Sequence, residues 1–142
     1  MLLVDVNVLV YAFRRDAPNH RAYSDWLQEL IDSDTTFGMA DLVLSGFVRI
    51  VTHPTIFNPP STVEHAIDFA DQIHRHPRCA SIAPGPRHWD IFTTLCRETG
   101  AKGNLVPDAY LAALAIESGT EWITADRGFA RFRGLRWRHP FD

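Results

Sequence analysis

Short strand-like runs alternate with amphipathic helical patterns along the chain, and this alternation limits the fold more than any other feature. The strand candidates are residues 2–6, 36–40, 81–83, 121–124 and 135–137. The helix candidates between them are residues 20–31, 42–51, 63–76, 89–96 and 107–118. Strands that alternate with helices are typical of a mainly parallel sheet with helices on both faces. The sequence therefore predicts an α/β fold with a sheet of four to five strands.

Polar residues and glycines indicate where several helices begin and end. Asn19 is a candidate cap for the first helix, and Ser61 followed by Glu64 matches a capping box before the third. Gly100 and Gly119 stand where glycine commonly ends a helix.

Composition restricts the class of protein and its surroundings. With 142 residues, 46% of them apolar, the chain suits one domain spanning residues 1–142. Its net charge of −3 provides no global positive field for nucleic acid. Cys79 and Cys96 are too few for a disulfide framework and wrongly spaced for zinc, so we expect a reducing cytoplasm. No apolar run approaches the roughly 20 residues of a membrane span, so we expect no membrane association.

Three acidic residues from distant parts of the chain are predicted to meet at one edge of the sheet. Asp5, with Asn7 close behind it, ends the first strand, and Asp126 follows the strand at 121–124. Asp108 lies in the first turn of the helix that Pro107 begins. Ligands of such sheets bind outside the carboxyl ends of the strands, so these side chains are candidates for one site.

Carboxylates packed together favour a bound metal ion. Two unit charges about 4 Å apart repel by about 4 kcal/mol at an effective dielectric constant near 20. Mg²⁺ or Mn²⁺ removes this repulsion, because both ions prefer carboxylate and water oxygens. A water activated by such an ion can attack a phosphodiester. Each acid also has a structural interpretation: Asp108 favours a helix N-terminus and Asp126 suits a turn, whereas Asp5 in an apolar strand is harder to explain this way.

Several segments together resemble the PIN-domain ribonucleases, and in particular the VapC-type toxins of bacterial toxin–antitoxin pairs. The segments are residues 4–9 (Val-Asp-Val-Asn-Val-Leu), 47–54, 103–109 (Gly-Asn-Leu-Val-Pro-Asp-Ala), 111–115, 124–129 (Thr-Ala-Asp-Arg-Gly-Phe) and 132–137. The resemblance implies a single PIN-like domain with Mg²⁺- or Mn²⁺-dependent endoribonuclease activity. It also implies inhibition by a small VapB-like antitoxin and a homodimer formed through the helices. By position, Asp5, Asp108 and Asp126 correspond to the metal-site acids of the family, and Asn7 to the polar residue that often accompanies the first.

The chain departs from the family pattern where many members carry a glutamate, because Gly46 stands there. Asp41 lies five residues earlier, and two roles stay open for it: facing the same cavity, directly or through water, or capping the helix.

Arg49 is a candidate for contacting RNA phosphate or a site carboxylate, with a structural ion pair as the alternative. Thr124 is a candidate hydrogen-bond donor to a metal ligand or a phosphate. The basic residues of the C-terminal segment are either an RNA-backbone patch or a solvated face: Arg127, Arg131, Arg133, Arg136 and Arg138.

We therefore expect an endoribonuclease that leaves 5′-phosphate and 3′-hydroxyl ends. Asp5 and Asp108 would hold the ion, and Asp126 would complete the site or orient the attacking water. One alternative is a catalytically degenerate protein that binds RNA or an antitoxin, as Gly46 suggests. A weaker alternative is an aspartate-nucleophile phosphatase. Such enzymes generally need a second Asp two residues after the first, where this chain has Asn7. They also need a lysine in the site, and Lys102 is the only lysine of the chain.

Overall fold

Five parallel strands form one sheet in the computed structural model, which describes residues 1–142. They are β1 (Leu2–Val4), β2 (Phe37–Met39), β3 (Cys79–Ser81), β4 (Glu121–Ile123) and β5 (Trp137–Arg138). Their order in the sheet is β3-β2-β1-β4-β5, and every neighbouring pair is parallel. In the centre, Leu3 lies opposite Gly38 of β2 on one side and Trp122 of β4 on the other. The α/β fold class predicted from the alternation is confirmed.

Six α-helices and one 3₁₀ helix connect the strands. They are α1 (Val6–Phe13), α2 (His20–Asp32), α3 (Asp41–Val51), α4 (Val63–His74), α5 (His88–Thr99), α6 (Leu105–Ser118) and the 3₁₀ helix Arg127–Arg131. Helix α1 packs against α2 and α3, α3 packs against α4, and α5 packs against α6. The connections from β1 to β3 move in one direction along the sheet, and the connection from β3 to β4 returns in the other. Because such crossovers are right-handed, the two sets of helices lie on opposite faces.

The core holds strand β1 and helix α6 in place. Leu3 and Val4 of β1 are completely buried. Helix α6 is buried over most of its length through its run of alanines and leucines, namely Ala109, Leu111, Ala112, Ala113, Leu114 and Ala115. An apolar helix with so little exposed surface is held by packing rather than by its own propensity. The first turn of α6 is therefore held in a fixed position against the sheet.

Helix α1 is the element that the sequence pattern did not predict. The strand expected at residues 2–6 ends at Val4, and a helix begins at Val6. A nearly all-apolar run of β-branched residues is typical of a buried strand, but from Val6 onward the chain is helical, and Val8, Leu9, Val10 and Ala12 are buried in that helix. Tertiary packing therefore overrides the weak preference of β-branched residues.

Several predicted boundaries and caps are wrong by one or two residues. Asn19 adopts a left-handed conformation with φ 57° and its side chain caps nothing. Thr62 caps α4 by accepting a hydrogen bond from the His65 N–H, while Ser61 accepts one from Arg14. Strand β3 begins two residues before the expected start at 81, and α4 ends at His74 rather than at residue 76. Gly100 and Gly119 do end their helices, with φ of 62° and 68°.

None of the helices has both the length and the apolar composition needed to cross a membrane.

Candidate active site

The carboxyl ends of β1 and β4 form the point at which the order of strands reverses. From β1 the chain continues to β2 on one side, whereas β4 joins β1 from the other side after the chain returns from β3. Open parallel sheets bind ligands in the crevice at such a point. Asp5 directly follows β1, and Thr124 and Asp126 follow β4.

Asp5 is a buried carboxylate held by the protein itself. The residue is 6% exposed. Its Oδ1 accepts a hydrogen bond from the Val6 N–H at 2.6 Å, and its Oδ2 accepts one from the Thr124 hydroxyl at 2.7 Å. Burial raises the pKa of Asp5 to about 6, and the negative charges of Asp108 and Asp126 add to this rise, whereas the two hydrogen bonds oppose it. Asp5 is thus a destabilised anion in a rigid position.

The Thr124 hydroxyl connects the end of β4 to the start of α1. It donates to Asp5 and accepts hydrogen bonds from the Asn7 Nδ2 at 3.2 Å and from the Asp126 N–H at 3.0 Å. Asn7 also accepts from the Ala125 N–H at 3.1 Å. These bonds use the single donor and both acceptor sites of the hydroxyl. Asn7 and Thr124 therefore position the carboxylates, and the hydroxyl has no proton free for a phosphate.

Asp108 and Asp126 complete a set of three acids that we call the carboxylate cluster (Asp5, Asp108 and Asp126). Asp108 is half-buried in the first turn of α6. Burial and the charge of Asp126 raise the pKa of Asp108, and the Arg131 guanidinium lowers it. Asp126 is exposed and caps the 3₁₀ helix by accepting from the Gly128 N–H at 2.8 Å. Each acid thus sits at the beginning of a helix, at the same edge of the sheet.

The carboxylate cluster lines one cavity of about 370 Å³, whose other side is largely apolar. The remaining lining residues are Val6, Asn7, Val10, Tyr11, Ile50, Ile56, Phe57 and Phe129. No three Asp, Glu, His or Cys side chains in the molecule lie close enough together to ligate one ion jointly. The structure brings the three predicted acids to one cavity, but not into direct three-fold coordination geometry.

The donor set nevertheless fits a hydrated Mg²⁺ or Mn²⁺. Asp108 and Asp126 raise the pKa of Asp5, Asp126 raises that of Asp108, and none of the three acids has a cationic side chain within salt-bridge distance. Mg²⁺ is commonly held by one or two carboxylates and keeps several waters, so close three-fold ligation is not required. A nearby cation would favour the ionised forms of Asp5 and Asp108, whose pKa values are raised.

Asp41 and Arg49 do not belong to this cavity. Asp41 is the first residue of α3, after its N-cap Ala40, and its side chain is 81% exposed. Its Oδ1 lies 3.1 Å from the His74 Nε2. Arg49 is exposed on α3 and its side chain pairs with no acid. The structure therefore corrects both expectations for Asp41, because it neither lines the cavity nor caps the helix.

Gly46 allows α3 to approach α1 closely. A Cβ atom at this position would lie 3.1 Å from the Val6 Cγ2, and Val6 lines the cavity. A glutamate at position 46 would therefore require Val6 to move. At the position of the expected glutamate, the two helices are therefore packed against each other, with Val6 beside Gly46.

Two further predictions concern residues near the cluster. Asn7 stands where a phosphatase would need its second acid. Its amide donates one hydrogen bond to Thr124 and accepts one from the Ala125 N–H, while Lys102 is exposed and does not line the cavity. Among the C-terminal arginines, Arg127 pairs with Asp142 and Arg138 pairs with Glu121. Arg131, which lowers the pKa of Asp108, is the arginine near the cluster, and its place in a 3₁₀ helix was not apparent in the sequence.

Comparison with known proteins gives full-length relatives. A family model described as PIN domain matches residues 2–135. Ribonuclease VapC43 of Mycobacterium tuberculosis is 46% identical over 142 residues, which cover 100% of this chain and 97% of the relative. Ribonuclease VapC25 of the same organism is 40% identical over 140 residues, which cover 99% of each.

Solved structures show the same architecture at lower identity. VapBC2 from Rickettsia felis, bound to a DNA fragment from its promoter, gives a TM-score of 0.69 at 19% identity and covers 97% of both chains. VapC20 of Mycobacterium tuberculosis, described as a sarcin–ricin loop cleaving toxin, gives 0.65 at 14% identity and covers 96% of this chain and 99% of its own. The fold expected from the resemblance is therefore confirmed.

Proposed function

The chain belongs to the PIN-domain family, and from this premise we propose that it is a metal-dependent endoribonuclease and the toxin of a toxin–antitoxin pair. The observation that carries the proposal is the meeting of Asp5, Asp108 and Asp126 in one cavity where the strand order reverses. Relatives named ribonucleases, matched over the whole chain, support RNA as the substrate.

In this proposal each acid has a separate task. Asp5 and Asp108 hold the cation, because burial and the negative charge of neighbouring acids raise the pKa of both, and a cation relieves this repulsion. Asp126 is exposed and orients the attacking water at the mouth of the cavity. The hydrogen bonds of Thr124 and Asn7 hold Asp5 and the loop of Asp126 in fixed positions relative to each other. When bound, Mg²⁺ would supply a water of lowered pKa and neutralise charge that develops on the phosphate.

The products and the partners follow from the same proposal. Attack by water on the phosphorus, with departure of the 3′-oxygen, leaves 5′-phosphate and 3′-hydroxyl ends. Solved neighbours include VapBC complexes, so we propose that a VapB-like antitoxin binds this chain as well, and that two copies of the chain form a homodimer through their helices. A cytoplasmic location stays a prediction based on the cysteines, both of which are free.

Cleavage of RNA by the purified protein tests the activity. We expect fragments to appear with Mg²⁺ or Mn²⁺ and to be absent with EDTA or in the Asp5→Asn variant. Ligation that requires a 5′-phosphate on the fragments tests the predicted ends. Undiminished cleavage with EDTA and in Asp5→Asn would contradict the mechanism, and fragments bearing 2′,3′-cyclic phosphate would contradict attack by water.

A second candidate is a degenerate member that binds RNA or an antitoxin without cutting. It is favoured by Gly46 at the expected glutamate position and by the absence of three acids close enough to ligate one ion together. Calorimetric titration with Mn²⁺ separates the two: the nuclease has a site that is lost in Asp108→Asn, whereas the degenerate protein has none to lose.

A further inference from the structure

One side of the active-site cavity is apolar and has no task in the proposed hydrolysis. It is formed by residues from α1, α3 and the loop after α3, and we call it the apolar wall (Val10, Tyr11, Ile50, Ile56 and Phe57). Ile56 is 49% exposed and Phe57 is half-buried. An apolar surface left open inside a functional cavity is commonly a binding surface rather than core.

Phe57 is held rigidly from behind. The Arg14 guanidinium lies over its ring, with the Cζ atom 4.3 Å from the ring centroid. Arg14 is itself fixed, because Nε and Nη2 donate to the Asp16 carboxylate at 2.9 and 2.6 Å and Nη1 donates to the Ser61 hydroxyl at 3.0 Å. Its side chain is only 12% exposed.

The loop that carries Phe57 is also ordered by its backbone. The N–H groups of Ile56 and Phe57 both donate to the His53 carbonyl at 3.1 Å. The Ser61 N–H donates to the Val51 carbonyl at 2.8 Å, which closes the loop onto the end of α3. The ring is therefore presented to the cavity at little further cost in conformational entropy.

The occupant of the wall must suit a cavity that has carboxylates on one side and uncharged, partly aromatic surface on the other. The group that lies next to a phosphodiester and offers a flat, uncharged face is a nucleobase. We propose that the apolar wall receives the base of a nucleotide adjoining the phosphodiester that is cut, with Phe57 as the stacking surface. The inference rests on the proposed function for the phosphate, and it makes the wall a determinant of which RNA sequence is cut.

Binding of mononucleotides tests the proposal without any cleavage, because they contain no phosphodiester. The ¹⁵N-labelled protein is titrated, with Mg²⁺ present, with each of the four nucleoside 5′-monophosphates and with ribose 5-phosphate, which lacks the base. We expect at least one nucleotide to bind roughly fivefold or more tightly than ribose 5-phosphate, as base stacking on an aromatic ring implies. The backbone amide signals of residues 55–57 should shift with the nucleotide and not with the sugar phosphate.

Substitutions at position 57 identify the surface. Phe57→Ala should bring nucleotide affinity to within about twofold of ribose 5-phosphate, and Phe57→Trp should retain the preference. Phe57→Leu keeps an apolar side chain of similar size and should lose most of the preference, which separates loss of the ring from loss of folding. Trp89→Ala is the matched control, because Trp89 is an aromatic residue that is 66% exposed and does not line the cavity.

Each contrary outcome is distinct. Equal binding of nucleotides and ribose 5-phosphate, no binding of either, or an unchanged preference in Phe57→Ala would overturn the inference, even in a protein that cleaves RNA. If Phe57→Ala instead weakens only the complex with the cognate antitoxin, the wall belongs to a protein partner and the inference fails. A base preference that depends on Phe57 in a protein that cuts no RNA would overturn the proposed nuclease and leave the base site standing.

Discussion

Asp5 and Asp41 are the same residue type in similar local settings, yet the fold treats them differently. Each follows a strand of the same parallel sheet and stands at the start of a helix. Asp5 is 6% exposed and accepts two hydrogen bonds from the protein, whereas the Asp41 side chain is 81% exposed and its one side-chain hydrogen bond is with His74. The difference lies in their neighbours: β1 borders β4, where the strand order reverses, and β2 lies between strands traversed in one direction.

The position of a strand in the sheet, rather than the acid that follows it, decides where a site forms. Beside β1, the loop after β4 contributes Thr124 and Asp126 to the same crevice. Beside β2, the hydrogen bond of Asp41 is to His74 at the end of α4. Buried anions cost free energy unless something compensates for them, so the first arrangement is the one expected of a functional site.

The largest contrast we expect is in RNA cleavage. Asp108→Asn removes a carboxylate from the cavity and should lower the initial rate by roughly 100-fold or more, because ion binding there is worth several kcal/mol in the transition state. Asp41→Asn changes an exposed residue outside the cavity and should leave the rate within about twofold. Release of fragments from a labelled RNA measures both. Equal impairment of the two variants would show that Asp41 contributes to cleavage as much as Asp108 does, although it lies outside the cavity.

The second contrast is the dependence of stability on pH in the presence of EDTA. The pKa of Asp5 is raised from 3.8 to about 6, so the folded chain holds this proton more tightly than the unfolded chain. Its stabilising contribution is full below pH 3.8 and is lost as the pH rises through about 6. The loss amounts to at most about 3 kcal/mol.

Paired unfolding curves isolate this effect from other titrating groups. The free energy of unfolding of Asp5→Asn, minus that of the wild type, should increase between about pH 4 and pH 7. The same difference for Asp41→Asn should change by less than about 1 kcal/mol over this range, because the Asp41 side chain is exposed and water screens its pair with His74. Urea titrations at several pH values measure both, and a flat difference for Asp5→Asn would mean that its carboxylate is not destabilised by burial.

The acids of the cavity could be predicted from sequence because strand ends and helix starts are local patterns. Asp5, Asp108 and Asp126 each interrupt or follow an apolar run, and parallel strands bring such positions to one edge. Helix α1 could not be predicted, since its valines favour a strand locally and only the core requires a helix. Asp41 was misjudged because exposure depends on neighbouring strands rather than on its own segment.

The apolar wall also could not be predicted from sequence patterns. Phe57 lies in a proline-rich loop, and its ring is fixed by Arg14, which is 43 residues away in the chain. Side-chain contacts between a loop and a helix end have no spacing rule comparable with the helical or strand period. Sequence patterns therefore predicted that three acids would come together, which the shared cavity bears out, but they did not predict the apolar surface opposite them.

The third contrast concerns the hydrogen bonds that hold Asp5. Thr124→Val keeps the shape of the buried side chain but removes the hydroxyl, so the Asp5 Oδ2, the Asn7 Nδ2 and the Asp126 N–H each lose their hydrogen bond to residue 124. Such a loss should cost about 1–3 kcal/mol in the free energy of unfolding. It should also raise the pKa of Asp5 further, because the Thr124 hydrogen bond lowers it.

Thr124→Ser is the matched variant, since it retains the hydroxyl and loses only a methyl group. We expect it to recover most of the hydrogen-bond energy, with the remaining deficit reflecting lost packing. Urea unfolding near pH 7 compares the three proteins. Equal destabilisation by Val and Ser would show that packing of the methyl group, and not the hydroxyl, supports this edge of the sheet.

The smallest effect should come from the pair between Asp41 and His74. Their side chains are 81% and 50% exposed, so water screens the attraction, and exposed pairs typically contribute less than about 1 kcal/mol. Salt screens an exposed pair of this kind further, so the coupling should be smaller at high salt than at low salt. A double-mutant cycle with Asp41→Asn and His74→Gln, run at low and high salt, measures the coupling. A coupling above about 2 kcal/mol at high salt would place Asp41 in a desolvated environment and remove the contrast between the two regions.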